Sequence, residues 1–570
     1  MSNDFRKVLI KDDLLMVTSE VAYGVYSGGQ NKTTQVYSAI SKSTSAISYN
    51  INVGSETQIL DRKLQMRNTY EIKVTGDAPA GQRLLEFGKD CALAGFPCNQ
   101  SFQTVNVSIN NSTVNSNVQD ILPMILKQMT KEELAFYSST TPVQSDYYAD
   151  YADAENTMNS PFGDFTQSDY VSPNGSWVLD SVAGNALNGT GAPVSTTVTI
   201  VFTTTEPVFI SPFLWGLNNS NNQGCYGLQS LSFNFNLASN ANRVFRCKKA
   251  VTSCVISNVI KSEMILNYIT PHPSELLPST NVLPFYNMPI YKDVVQTVVP
   301  AGTYDVGTGI YTGGVAKIVS PSLSLNMIPD RMFVFVRKLN RTANDPDAFL
   351  PITDISLQVF NQAGILASAT TQDLYRFSRE SGYSGTYLDF AGQATKYAVG
   401  SFPNRVRTSG SILSLEFARH IPVESWYAPG SLTNTSLQYS ISVRNDSLVA
   451  LGAGTYELVL VVQNSGIMTI SKGTSSEYLG ILSKSDVLDT LQQEPTSQSD
   501  IGRVIGSGML DKLKSAVIKY APKILPVARA FLEKSDNPNM KKAGDVLKMA
   551  GYGQTGAGES GGRSRLQMRT

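Results

Sequence analysis

Two histidines, His272 and His420, stand about 150 positions apart in a chain of 570 residues. That pair cannot supply an H-E-x-x-H zinc site or a histidine-rich metal cluster. A Ser-His-Asp triad needs only one imidazole, but no G-x-S-x-G elbow leads into a helix here. Both histidines therefore read as structural or loop residues. The five cysteines are Cys91, Cys98, Cys225, Cys247 and Cys254. They form no C-x-x-C pair and their count is odd, which fits free thiols in a reducing compartment better than a disulfide framework.

Three further groups could do chemistry. Asp146, Asp150, Asp153 and Glu155 are interleaved with Tyr147, Tyr148 and Tyr151, and such carboxylates can hold a hard cation. Their spacing fits no EF-hand, so a solvated or inter-subunit loop is preferred over a metal. Gly28-Gly-Gln-Asn-Lys-Thr33 has the flavour of a phosphate loop, but it lacks the upstream glycine at the required spacing and reads as a glycine-rich turn. Finally, residues 501–570 hold 13 Lys/Arg and 5 Asp/Glu, a net +8. There Lys512, Lys514, Lys519, Lys523, Arg529, Lys541 and Lys542 are candidates for contact with an anionic partner. No cofactor motif is present, and no set of nucleophile, base and oxyanion donors can be assembled, so an enzyme is not expected.

The whole chain carries 46 basic and 46 acidic residues. The neutral total is a cancellation, because the first 500 residues hold 33 basic and 41 acidic side chains, or −8. A protein basic throughout, made to coat nucleic acid, is excluded, and so is an acidic disordered chain. Charged residues are only 16%, against a usual ~25%. Such a sparsely charged surface suggests that neighbours cover part of it. No apolar h-region follows Met1-Ser-Asn-Asp-Phe-Arg-Lys, so no signal peptide is expected. No run of about 18 apolar residues marks a membrane span. Triplets such as Asn106-Val-Ser108 and Asn188-Gly-Thr190 then follow from composition and are not glycan sites.

From about residue 45 to 475 apolar side chains recur every second position, as in strands with one face in a core. Val105, Val107 and Ile109 alternate with polar residues, as do Val198, Ile200 and Phe202, and Leu231, Phe233 and Phe235. The pattern returns at Leu323, Leu325 and Met327, at Ile355, Leu357 and Val359, at Leu413, Leu415 and Phe417, and from Leu437 to Val443. Tyr456 to Val462 is continuously apolar and predicts a strand covered on both faces. Turn clusters such as Asn174-Gly-Ser176 and Ala301-Gly-Thr303 separate the strands. Two loop helices are expected, over Val118–Met129 with Pro123 in its first turn, and over Thr371–Glu380 stopping near Gly382. An Ile-x-Asp-Arg step occurs twice about 270 residues apart, at Ile59-Leu-Asp-Arg62 and Ile328-Pro-Asp-Arg331. Two tandem copies of one β-sandwich topology would leave such an echo. The boundary is placed at residues 270–290, where Pro271, Pro273, Pro278 and Pro284 crowd together.

Past residue 485 the period changes. Met509–Tyr520 is amphipathic, with Leu510, Leu513, Val517 and Tyr520 on one face. Pro522 and Pro526 end it, short helices are expected at 528–534 and 540–549, and the Gly/Ser-rich end after Gly551 reads as disordered. A basic amphipathic segment can bind an anionic membrane, neutralise packaged nucleic acid, or dock on another copy or a partner.

Several short motifs then resemble a known family. Ile59-Leu-Asp-Arg62, Gly88-Lys-Asp90, Gly95-Phe-Pro97 and Ser101–Asn110 are similar in order to the N-terminal jelly roll of virophage and polinton-like major capsid proteins. Glu206-Pro-Val-Phe-Ile-Ser-Pro212, Trp215-Gly216 and Leu231–Asn236 resemble its later strands, and Ile328-Pro-Asp-Arg331 resembles a step of the second domain. The resemblance covers residues 45–480. It implies an all-β double jelly roll, two eight-stranded sandwiches per chain, with three chains per pseudo-hexagonal capsomer in an icosahedral shell. The domains expected are an arm at 1–44, sandwiches at 45–275 and 276–480, and a linker with a basic helical tail at 481–570, which the resemblance does not cover.

The function so implied is that of a non-enzymatic major capsid protein located in the virion and assembled inside the host cell. Its expected partners are its own copies, neighbouring capsomers, penton and minor capsid proteins, a host receptor, and genome or membrane through residues 501–570. Rival readings are a minor capsid, penton or spike protein, or a carbohydrate-binding β-sandwich. Met549-Ala-Gly-Tyr-Gly553 resembles the site cut by adenovirus-type cysteine proteases, which places a candidate cleavage after Tyr552.

Overall fold

Alternation of apolar and polar residues dictates strands, and sixteen of them carry the architecture. The computed structural model describes residues 24–25, 31–55, 58–137, 147–151, 162, 177–213, 223–270, 280–305, 310–359, 362–395, 405–423, 429–430, 435–471 and 473–480. These residues belong to one compact unit. A second unit, Leu9–Val21 with Ser483–Thr570, lies outside them, and so does every expectation for the tail.

In chain order the first eight strands are β1 Asn31–Ser38, β2 Ala46–Asn52, β3 Gln65–Ala78, β4 Phe102–Ile109, β5 Ser112–Ser116, β6 Val194–Pro207, β7 Ser230–Leu237 and β8 Val251–Thr270. One sheet runs β1-β8-β3-β6 and the other runs β2-β7-β4-β5, all antiparallel. The next eight are β9 Asn281–Asn287 (continued by Ile290–Val294), β10 Gly314–Val319, β11 Arg331–Lys338, β12 Ile352–Val359, β13 Gln362–Ile365, β14 Leu413–Glu416, β15 Thr435–Asn445 and β16 Tyr456–Ser471. They pair as β9-β16-β11-β14 and β10-β15-β12-β13. The second order repeats the first strand for strand. Each half is an eight-stranded jelly roll, and the chain is a double jelly roll. Short additions widen the sheets to eight and five strands in the first half and six and five in the second.

The echoed Ile-x-Asp-Arg steps occupy one place in this topology. Arg62 stands just before β3 and Arg331 opens β11, the third strand of each sandwich. The inward phases of β3, β6, β4 and β7 pack Tyr70, Ile72, Phe202, Val107 and Phe233 at no more than 1% exposure. Burying each such side chain is worth about 1.5–3 kcal/mol. Along β16, 14 successive residues are buried, so the continuous apolar run marks a strand covered on both sides.

Both loop helices form, each in the connection that follows the fifth strand of its sandwich. Thr371–Glu380 carries a capping box: the Asp373 N–H donates to Thr370 Oγ1 at 3.3 Å, and the Thr370 N–H donates back to Asp373 Oδ2 at 3.1 Å. Such a box satisfies two of the helix's first N–H groups. The other helix, Val118–Gln128, departs from expectation, because Pro123 sits at its sixth position and not in the first turn. A mid-helix proline costs about 3 kcal/mol. Nine buried residues of this helix offset that cost, Ile121, Leu122 and Ile125 among them. Among the described residues no helix is long and apolar enough to cross a membrane.

Candidate functional site

Arg62, Asp90, Glu206 and Arg331 of the motifs are buried charges, and the fold gives each a partner. Arg62 is fully buried and donates from Nε to the Pro212 carbonyl at 3.0 Å. Burial lowers its pKa to about 10. Its counterpart Arg331 pairs with Glu416 at 3.0 Å, the residue opposite it on β14. The preceding residue of the second step, Asp330, accepts the Ser465 N–H at 2.8 Å and so ties β11 to β16. Asp90 accepts the Glu86 N–H at 2.8 Å and pairs with Lys249 at 2.7 Å.

Glu206 closes a similar brace. It lies in the inward phase of β6 and is wholly buried. Its carboxylate accepts the backbone N–H groups of Cys98 at 2.7 Å and Asn99 at 2.9 Å, the Asn99 side-chain amide at 2.8 Å, and the Thr204 hydroxyl. Gly95-Phe-Pro97 leads directly into the helical turn Pro97–Ser101 that supplies those N–H groups. Burial pushes the carboxyl up to about 7 against the pull of its donors.

The two sandwiches are joined by a polar seam between their long loops. Lys127, at the end of the first loop helix, reaches Asp389 Oδ2 at 2.8 Å and Ser409 Oγ at 2.7 Å. Tyr383 and Ser409 also donate to Asp389. On the same helix Asp120 pairs with Arg337 at 2.5 Å and Lys292 at 3.0 Å, and Arg337 pairs in turn with Glu457 at 2.6 Å. Asp347 binds Arg243 at 3.2 Å and Arg341. Burial alone would raise its pKa, but Arg341, Arg243 and Arg246 hold it well below the usual carboxylate range. The Ser475 N–H donates to Asn111 Oδ1 at 2.6 Å, so the segment after β16 is fastened to the β4–β5 hairpin. Ion pairs this deep are worth little beyond their desolvation cost, but removing one partner is expensive. They register one sandwich on the other.

The remaining candidates fall as follows. All five cysteines are free and buried. Burial raises Cys225 and Cys247 to about 12 and pushes Cys91, Cys98 and Cys254 up as well, which suppresses the thiolate. His420 lies against Phe377, its ring centre 4.9 Å away. Its Nδ1 accepts the Glu416 N–H at 3.0 Å and its Nε2 meets Glu380 at 3.2 Å, so both ring nitrogens are committed to structure. Asp150 pairs with Arg407 at 3.0 Å, while Asp146, Asp153, Glu155 and His272 lie outside the described residues. Among the described residues no three His, Cys, Asp or Glu side chains are grouped to hold a metal. Lys512, Lys514, Lys519, Lys523, Arg529, Lys541, Lys542 and Tyr552 also lie outside them.

Sequence reading missed the seam. Lys127 is the one cation in an otherwise largely apolar helix, and Glu206 is a charge in the inward phase of an alternating strand. Both are signals of a buried, paired charge. Nothing local marks Asp389 as the partner of Lys127, since 262 positions separate them.

Comparison with known proteins agrees with this architecture. Residues 3–277 match the family model of the Sputnik virophage major capsid protein 1st domain. Residues 303–466 match that of the major capsid protein V20 C-terminal domain. The chain is 26% identical to the Sputnik virophage protein described as capsid protein V20, over 98% of this chain and 95% of that one. A chain of the Sputnik virophage cryo-EM structure is 26% identical at a TM-score of 0.69, covering 86% of this chain and 96% of that one. The mavirus major capsid protein shares the fold at 16% identity and a TM-score of 0.62, covering 83% of this chain and 94% of that one.

Proposed function

The chain belongs to the virophage major capsid protein family, and from that premise we propose that it assembles as a homotrimer whose copies tile an icosahedral shell. It is a structural component of the virion. The observation that carries the proposal is the repetition of one strand order in two sandwiches braced by buried ion pairs. Two alike lobes per chain give three chains six lobes, and six lobes make a pseudo-hexagonal outline that can pack beside itself. No catalytic step enters this role. The working parts are interfaces.

We read residues 45–275, joined by β1 from the stretch expected as an arm, and residues 276–480 as the two lobes. In support, no described sheet mixes strands from before Thr270 with strands from after Asn281. Of the stretch at 1–44, expected as an arm, β1 pairs along β8 and completes the first lobe's eight strands. Five buried free thiols suit assembly inside a reducing cell. The +8 of residues 501–570 suits an anionic partner, genome or membrane surface, or an acidic face of another copy, with Lys512, Lys514, Lys519, Lys523, Arg529, Lys541 and Lys542 as contacts. Penton and minor capsid proteins and a host receptor complete the proposed partners. Cleavage after Tyr552 would release the last 18 residues, and intact-mass measurement on particles tests it, a C-terminus still at Thr570 removing the idea.

Expression of the whole chain followed by electron microscopy tests the assembly. Hexagonal trimers or closed shells are expected. A chain that stays monomeric at high concentration overturns the proposal.

A further inference from the structure

The β2-β7-β4-β5 sheet of the first sandwich turns Ile47, Tyr49, Phe233, Phe235, Val105 and Val107 inward. Its outward side is made of short uncharged polar residues in cross-strand register. Ser48, Asn234 and Asn106 form one row across three strands, and Asn50, Ser232 and Ser108 form the next. Asn50 and Asn234 are exposed and the others half-buried, so this side is open in the single chain.

The four strands hold 28 residues (seven, eight, eight and five), and none is Asp, Glu, Lys or Arg. At the chain-wide 16% about four charges would fall there, and a solvated surface carries roughly 25–35%. The deficit is local. The outward side of the first sandwich's other sheet carries Arg67, Glu71 and Lys73 on β3 alone. In the second sandwich the matching sheet carries Lys317, Asp354 and Arg444.

We propose that this charge-free face docks against a second copy of this chain. The inference rests on the capsid reading, which places many identical copies side by side. The chemistry of the face argues against other occupants. It has no cation for a nucleic acid or an anionic membrane, no outward aromatic ring for a sugar to stack on, and no exposed large apolar side chain for a lipid. A face left to solvent would gain solubility from charge. A face that meets a neighbour avoids the cost of desolvating charge and the repulsion of like charges between identical subunits. Serine and asparagine fit such a contact because their short side chains lose little rotamer entropy and bond a neighbour directly or through water.

The native thiols make a clean test, since all five are at most 2% exposed. In N234C, maleimide labelling is compared between the unassembled and particle fractions of one preparation. The introduced thiol should react about tenfold more slowly in particles, or slower still, a protection of about 1.4 kcal/mol or more. N50C, on the adjoining strand, gives the same readout should N234C fold poorly. S232K should melt like the wild type yet yield at least about tenfold fewer particles. Particles in which the N234C thiol reacts as fast as in the free chain overturn this inference and leave the capsid reading standing. A wild-type chain that stays monomeric at high concentration overturns both.

Discussion

Lys127 Nζ lies 2.8 Å from Asp389 Oδ2, and each side chain is only 5% exposed. One residue ends the helix after β5, the other sits in the matching connection after β13, and the pair spans the seam. Lys127→Met would leave a carboxylate buried with two hydroxyl donors and no cation, a loss of about 3–5 kcal/mol. Replacing both, as Lys127→Met with Asp389→Leu, should recover most of it, because the desolvation cost of the pair disappears as well. Urea midpoints for the two single variants and the double variant measure this. Equal losses in all three would show that the pair contributes little beyond packing.

Glu206 predicts a pH dependence of definite sign. Its folded pKa of about 7 lies above the ordinary glutamate value, so the fold favours the protonated group. The stability this lends is fully present below about pH 4.3 and is lost as pH rises through about 7. Glu206→Gln turns an amide N–H₂ towards the N–H groups of the Pro97–Ser101 turn and should cost about 1–3 kcal/mol. The melting-temperature gap between wild type and this variant should be wider at pH 5 than at pH 8. A gap independent of pH would contradict the raised pKa.

Much of the fold was legible because alternation is a local signal. Leu231, Phe233 and Phe235, or Leu437 to Val443, state both the strand and its buried face within a few residues. The Ile-x-Asp-Arg echo marks the third strand of each lobe, and the Thr370 capping box sets where its helix begins. Pro123 was misplaced because tertiary burial of Ile121, Leu122 and Ile125 overrides a local preference. The seam was invisible for a different reason. Lys127 with Asp389, and Arg243 with Asp347, are meetings of residues about 100 to 260 positions apart, and no periodicity within one strand or helix encodes them. The charge-free face could be read in hindsight from Ala46–Asn52 and Ser230–Leu237, but that the strands share one sheet is a fact of topology.

The cysteines predict silence. Each thiol is buried with a raised pKa, so the native chain at pH 7.5 should expose fewer than about one reactive thiol to a disulfide reagent. All five should titrate in guanidinium chloride. Rapid native reaction of two or more would show that the jelly-roll interior opens readily.

His420 gives a dependence of the opposite sign to Glu206. Burial lowers its pKa below the ordinary imidazole value, against the pull of Glu380 and Glu416 and with Arg419 adding to the depression. Its Nδ1 accepts the Glu416 N–H, and protonation would set two N–H groups face to face. The stability from the neutral ring is therefore present above about pH 6.5 and is lost as pH falls through the lower folded value. Arg331 holds the other side of Glu416, so the strain should spread to the start of β11. Acidification from pH 7.5 to 5.5 should lower the melting temperature of the wild type more than that of His420→Gln. If the variant is destabilised by acid as much as the wild type, His420 is not the group responsible.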